Sequence, residues 1–109
     1  MRKPHAYSPQ SQEAARLLGE QVRLARLERR WTLEELAERV GVNHTTMRKV
    51  ERGDLSVGLG PALEAATLVG VPLFQADRER LALERREVQA RLALIPARAR
   101  RPKKVDDEF

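Results

Sequence analysis

The stretch "TLEELAERVGVNHTTMRKVERG", Thr32 to Gly53, decides how this chain is read. Thr32 precedes an apolar spacing of Leu33, Leu36, Ala37 and Val40, and Glu35 follows it at the third position. A hydroxyl and a carboxylate so placed each satisfy one orphan N–H at a helix start. Glu34 and Glu35 add negative charge where the helix dipole favours it. Gly41 stands where a helix closes on a left-handed residue. Only Val42 intervenes before Asn43, a second cap-type residue. Met47 and Val50 then fall on one side of a second helix, and Gly53 stops it.

Two helices of about two to three turns joined by a tight glycine turn, each with a small apolar face, form a helix-turn-helix layout. Working outward, "SPQSQEAARLLGEQVRLARLERR" opens a preceding helix with Ser8 as cap and Pro9 at its first position. Ala14, Leu18, Val22 and Ala25 are its expected core stripe. Leu17, Leu24 and Leu27 form a second stripe, centred roughly 130° from the first, and either meet a partner or are scattered surface leucines. Trp31, just before the Thr32 cap, suits a hydrophobic staple. "LGPALEAATLVGV" is a fourth helix with Pro61 in its first turn and Leu59, Leu63, Ala66 and Val69 expected inward. A fifth, charged helix starts near Ala76 or Asp77 and is expected to run to Pro96. In it Leu81, Val88 and Ile95 are seven apart with Leu92 beside them, a short imperfect coiled-coil seam. The reading is all-α: a disordered segment 1–8, a domain over 9–75, an extended helix 76–96 and a disordered charged tail 97–109.

With 109 residues and no cysteine the chain builds one small core unaided by disulfides, which favours dimerisation. Lys and Arg number 21 against 16 Asp and Glu, a net charge of +5. That balance permits nucleic acid as a partner, although a GC-rich genome equally explains the excess of Arg over Lys. The N-terminus has no apolar segment of signal-peptide type, and no run reaches the length of a membrane span. Lack of cysteine fits a reducing cytosol, so a cytoplasmic location is expected. His5 and His44 are far apart and lack further ligands at metal spacing, and no nucleophile stands with a base. No metal, cofactor or catalytic role is expected. "GLG" at 58–60 is no phosphate loop, because the Lys and Ser/Thr that would follow are missing.

From Leu18 to Phe74 the sequence resembles the Cro/CI-type (XRE) helix-turn-helix family, carried by Ala37, Gly41, Met47, Val50, Glu51 and Gly53 in ungapped spacing. The resemblance implies that the third helix enters the major groove of double-stranded DNA while the second crosses the backbone. His44, Thr45 and Lys49 occupy positions where family members touch base edges, with Arg48 beside them for a base or a phosphate. Asn43 and Thr46 match phosphate-contacting positions, and Arg52 lies near the backbone. Arg26 and Glu51 match a family ion pair between the first and third helices. One position departs: the family's usual Gln at the start of the second helix is Leu33, leaving the helix N-terminus to offer backbone N–H to phosphate. Since one helix reads few base pairs, a homodimer on a near-palindromic operator is expected, with Leu81, Val88, Leu92 and Ile95 as candidate dimer contacts. "GLGPALEAATLVGVPLF", the charged helix and a basic tail ending "VDDEF" resemble HipB-type antitoxins. That implies a repressor of its own operon that also holds a HipA-like kinase toxin inactive, with Phe109 as a candidate toxin anchor. The alternatives are a stand-alone transcription factor of the same fold, or a helical adaptor that binds only protein.

Overall fold

The structure, a computed structural model, describes residues 6–96. Five α-helices follow in order: α1 Pro9–Glu28, α2 Leu33–Val40, α3 His44–Arg52, α4 Leu59–Leu68 and α5 Arg78–Leu92. No strand occurs among the described residues, and the all-α class is as expected. The chain divides after Leu73 into two compact units. The expectations for the tail from residue 97, Phe109 included, and for residues 1–5 lie outside the described residues.

Local chemistry sets the helix starts. The Ser8 hydroxyl accepts from the Ser11 N–H, and Pro9 occupies a first-turn position that needs no N–H. At α2 the reciprocal box is complete: Thr32 Oγ1 accepts from the Glu35 N–H at 3.0 Å, and the Glu35 carboxylate accepts from the Thr32 N–H at 2.7 Å. Asn43 Oδ1 accepts from the Thr46 N–H at 2.8 Å and starts α3. Gly41 and Gly53 end α2 and α3 in the left-handed region, with φ of 92° and 73°.

In the first unit, α1 to α4 enclose one core of Val22, Leu36, Ala37, Met47, Val50, Ala65, Ala66, Val69 and Val71. Trp31, Leu33 and Val40 pack against it half-buried. The buried face of α1 differs from the expected stripe. Ala14 is exposed, while Gly19, Val22 and Arg26 are buried and Ala15, Leu18 and Ala25 half-buried. The centre of that face lies roughly 180° from Leu17, Leu24 and Leu27, not 130°. All three of those leucines are exposed. In α4 the buried residues are Ala65 and Ala66, and Leu59 is 73% exposed rather than inward, because it is the first residue after the Gly58 cap.

The α5 helix is capped by Asp77, whose carboxylate accepts from the Arg80 N–H at 2.8 Å. It ends at Leu92, short of Pro96. Ala93, Leu94 and Ile95 turn off it through N–H bonds to carbonyls three or four residues back. Ile95 therefore leaves the helix, and the expected seam keeps only Leu81, Val88 and Leu92 on α5. No residue of α5 is buried.

Candidate nucleic-acid interface

What α3 can present depends on how it is held. Its inward side carries Met47, Val50 and Glu51, all buried. Two glycines bring α1 against it. A Cβ added at Gly19 would stand 2.5 Å from the carbonyl oxygens of Val50 and Glu51. One added at Gly53 would stand 2.7 Å from the backbone of Arg16, so that residue serves both the left-handed turn and the close approach.

Arg26 locks the contact. Its Nε donates to Glu51 Oε2 at 2.7 Å and its Nη2 to Oε1 at 3.0 Å, a bidentate pair. Nη1 donates to the Trp31 carbonyl at 2.9 Å, which ties the same guanidinium to the turn before α2. Both side chains are nearly inaccessible, and no buried side-chain polar atom among the described residues lacks a partner. The Glu51 hydrogen bond outweighs desolvation and holds the Arg26 pKa above its ordinary value. The sole carboxylate of α3 is thereby neutralised and hidden.

The outward arc of α3 is then cationic. At about 100° per residue, Thr45, Arg48, Lys49 and Arg52 surround the direction opposite Met47, with His44 and Thr46 on the two flanks. Thr45, His44, Arg48 and Arg52 are exposed, and Thr46 and Lys49 half-buried. Asn43 spends its side-chain oxygen on the cap and keeps its NH₂ free to donate.

Two further features lie beside this arc. Arg16 and Arg52 line one open cleft with Gln12, Asp54 and Ser56. Arg16 was not singled out from the sequence. It belongs to a helix far away in the chain, and only the close approach at Gly53 brings it there. At the start of α2, Leu33 packs half-buried on the core. The capping box already occupies the Thr32 and Glu35 N–H groups, and Glu34 and Glu35 crowd that end with negative charge. The start of α2 is accordingly poorer for phosphate than its dipole alone suggests. Arg39 stacks over the Trp31 ring at 4.1 Å from its centroid, so the indole supports a cation on this helix.

The expected sites in the second unit are placed as follows. Leu81 is half-buried, and Val88 and Leu92 are exposed on α5. Among the described residues no group of three His, Cys, Asp or Glu is placed to hold a metal ion. No helix among them is long and apolar enough to cross a membrane.

No curated protein and no solved structure matches this chain. A family model described as a helix-turn-helix domain matches residues 17–81, which takes in most of α1, all of α2 to α4 and the start of α5. With the capped α2, the glycine turn and the α3 helix held as described, the chain belongs to the helix-turn-helix domain family, a fold that binds DNA.

Proposed function

We propose that this chain is a sequence-specific transcriptional repressor that inserts α3 into the major groove of double-stranded DNA. One observation carries the reading: the only carboxylate of α3 is buried on Arg26, while Arg48, Lys49 and Arg52 remain on its outward arc. Lys49 and Arg48 donate to guanine O6 and N7, Thr45 meets a base edge or a thymine methyl, and His44 donates or accepts at the flank. Asn43, Thr46 and Arg52 contact phosphate and fix register, with Arg16 as an added cation beside Arg52. Two copies read a near-palindromic operator, as the small reach of one helix requires.

The more specific version rests on the resemblance of "GLGPALEAATLVGVPLF", the charged helix and the tail to HipB-type antitoxins. In it the chain autoregulates its operon and holds a HipA-like kinase toxin, with Phe109 as the anchor. Footprinting of the chain's own promoter across a salt series tests the first level. Protection of one site, with affinity falling steeply and linearly in log salt, is the expected result. Affinity that is weak and indifferent to salt would favour the protein-only adaptor. Co-purification with the product of the adjacent gene tests the second level, and its absence would leave a stand-alone transcription factor.

A further inference from the structure

The first unit holds a cavity of about 160 Å³ where the end of α3 meets α1 and the start of α4. Its walls include Ala15 and Leu18 of α1, Val50 of α3, Leu55 and Val57 of the following loop, and Ala62 of α4. Val50 belongs to the core, and Leu18, Val57 and Ala62 pack against it half-buried, so the cavity extends the apolar interior. Leu59 stands at the rim and is 73% exposed. Of the five described helices, α4 alone starts without a side-chain cap, and Leu59 sits between Gly58 and Gly60. That rim is the loosest part of the wall and the natural entry.

The lining has little to offer a polar guest. Asp54 is the only described lining residue with a polar side chain, and its Oδ1 accepts from the N–H and the hydroxyl of Ser56. Ser56 lines the cationic cleft on the far side of the loop and not the cavity. The N–H groups of Gly53, Asp54 and Val57 donate to the carbonyls of Val50, Lys49 and Asp54. A water needs about two to four polar partners, and an apolar cavity of about 150 Å³ stays dry and admits one benzene-sized molecule. Size and lining therefore select a small apolar guest.

The cavity also shares a wall with the DNA-facing side. Gly53, Asp54 and Leu55 line it on one side and the cleft of Arg16 and Arg52 on the other, and Ala15 and Arg16 are neighbours on α1. We infer that the cavity binds one small apolar molecule, a monocyclic aromatic or a hydrocarbon of that size, and that its occupancy tightens the hold of the adjoining cationic cleft on DNA. The guest enters space already present, so it displaces no backbone. It gives Leu55 and Val57 the contacts that a void denies them. The loop after α3 is then ordered before DNA arrives, and pre-organisation strengthens binding.

Benzene is the probe. Titrated into the full chain without DNA, it shifts the methyl resonances of Leu18, Val50, Leu55 and Val57 saturably and raises the melting temperature with concentration. Ala62→Leu puts a side chain into the space and abolishes the shifts, with a melting temperature no lower than wild type. Ala15→Val is the second filler and decides the matter where Ala62→Leu overpacks. Shifts that stay linear in benzene, or that survive both fillers, overturn the site. A wild-type chain that binds nothing while Leu59→Ala binds overturns it too, because Leu59 then fills the space itself.

The coupling rests on the proposed DNA reading and has its own readout. Saturating benzene lowers the operator dissociation constant of the wild type about fivefold, the low end of ordinary couplings, and operator DNA tightens benzene by the same factor. The filled variant shows neither effect. Operator affinity that is equal with and without benzene overturns the coupling. A chain that binds no operator yet still titrates saturably with benzene fails the DNA reading and leaves the site standing.

Discussion

The side chain that holds α3 in place is one turned away from its outward arc. Glu51 is buried on Arg26, and the guanidinium is shared with the Trp31 carbonyl, so removing either partner strands the other in the interior. Glu51→Ala should cost about 3–5 kcal/mol of stability, measured by chemical denaturation, with loss of operator affinity following from partial unfolding rather than from a lost contact. Lys49→Ala should behave in the opposite way. Its fold stays intact, and affinity falls by about 1–3 kcal/mol with relaxed specificity at a single base position. An equal loss on every sequence would assign Lys49 to phosphate. Just beyond α3, the Asp54 carboxylate accepts from the Ser56 N–H at 2.9 Å and from its hydroxyl at 2.7 Å, and these two bonds hold its pKa below the ordinary value. Because the folded pKa is depressed, the turn's stabilisation is full above the unfolded carboxylate pKa of about 3.9 and is lost as pH falls through the folded value. An NMR titration should show Asp54 protonating below the usual aspartate range with the Ser56 amide following it, and Asp54→Asn should abolish that response.

Among the elements, the contact of α1 with α3 is the tightest and rests on Gly19. A methyl there meets two backbone carbonyls at 2.5 Å, neither of which can rotate away. Gly19→Ala should therefore destabilise the domain by about 1–3 kcal/mol, the usual range for overpacking, despite the better helix propensity of alanine. Thermal melts would show it. An unchanged melting temperature would mean that α1 slides along α3 without loss. The helix-turn-helix itself was legible in the sequence because its signals are local: Thr32 with Glu35, Asn43, Gly41 and Gly53 each act within a few residues. The buried face of α1 was less so. Leucines dominate its apolar count, yet the face turned inward carries Gly19 and Arg26, which periodicity scores as breaks. The end of α5 was misjudged for a related reason: apolar residues continue to Ile95, but their backbone leaves the helix after Leu92.

For the whole molecule, the proposed operator follows from symmetry. A two-fold dimer should protect two half-sites one helical turn apart, about 34–36 Å between centres, and hydroxyl-radical footprinting would show that spacing on one face of the DNA. A single unrepeated footprint would argue that one copy suffices. What the sequence determined by itself was what short-range chemistry controls: five helices, the Ser8, Thr32 and Asn43 caps, the glycine turn and the cationic character of "HTTMRKVERG". The Arg26–Glu51 pairing came from resemblance, since the two lie 25 positions apart and nothing local connects them. Only the tertiary structure decided which cations share a surface. Arg16 joins Arg52 because two glycines let α1 and α3 approach to backbone contact, and Leu33 became core filler while its helix end was closed by its own capping box. Close approach and burial depend on every layer of the packed core at once, so they are properties of the fold that no spacing along the chain encodes.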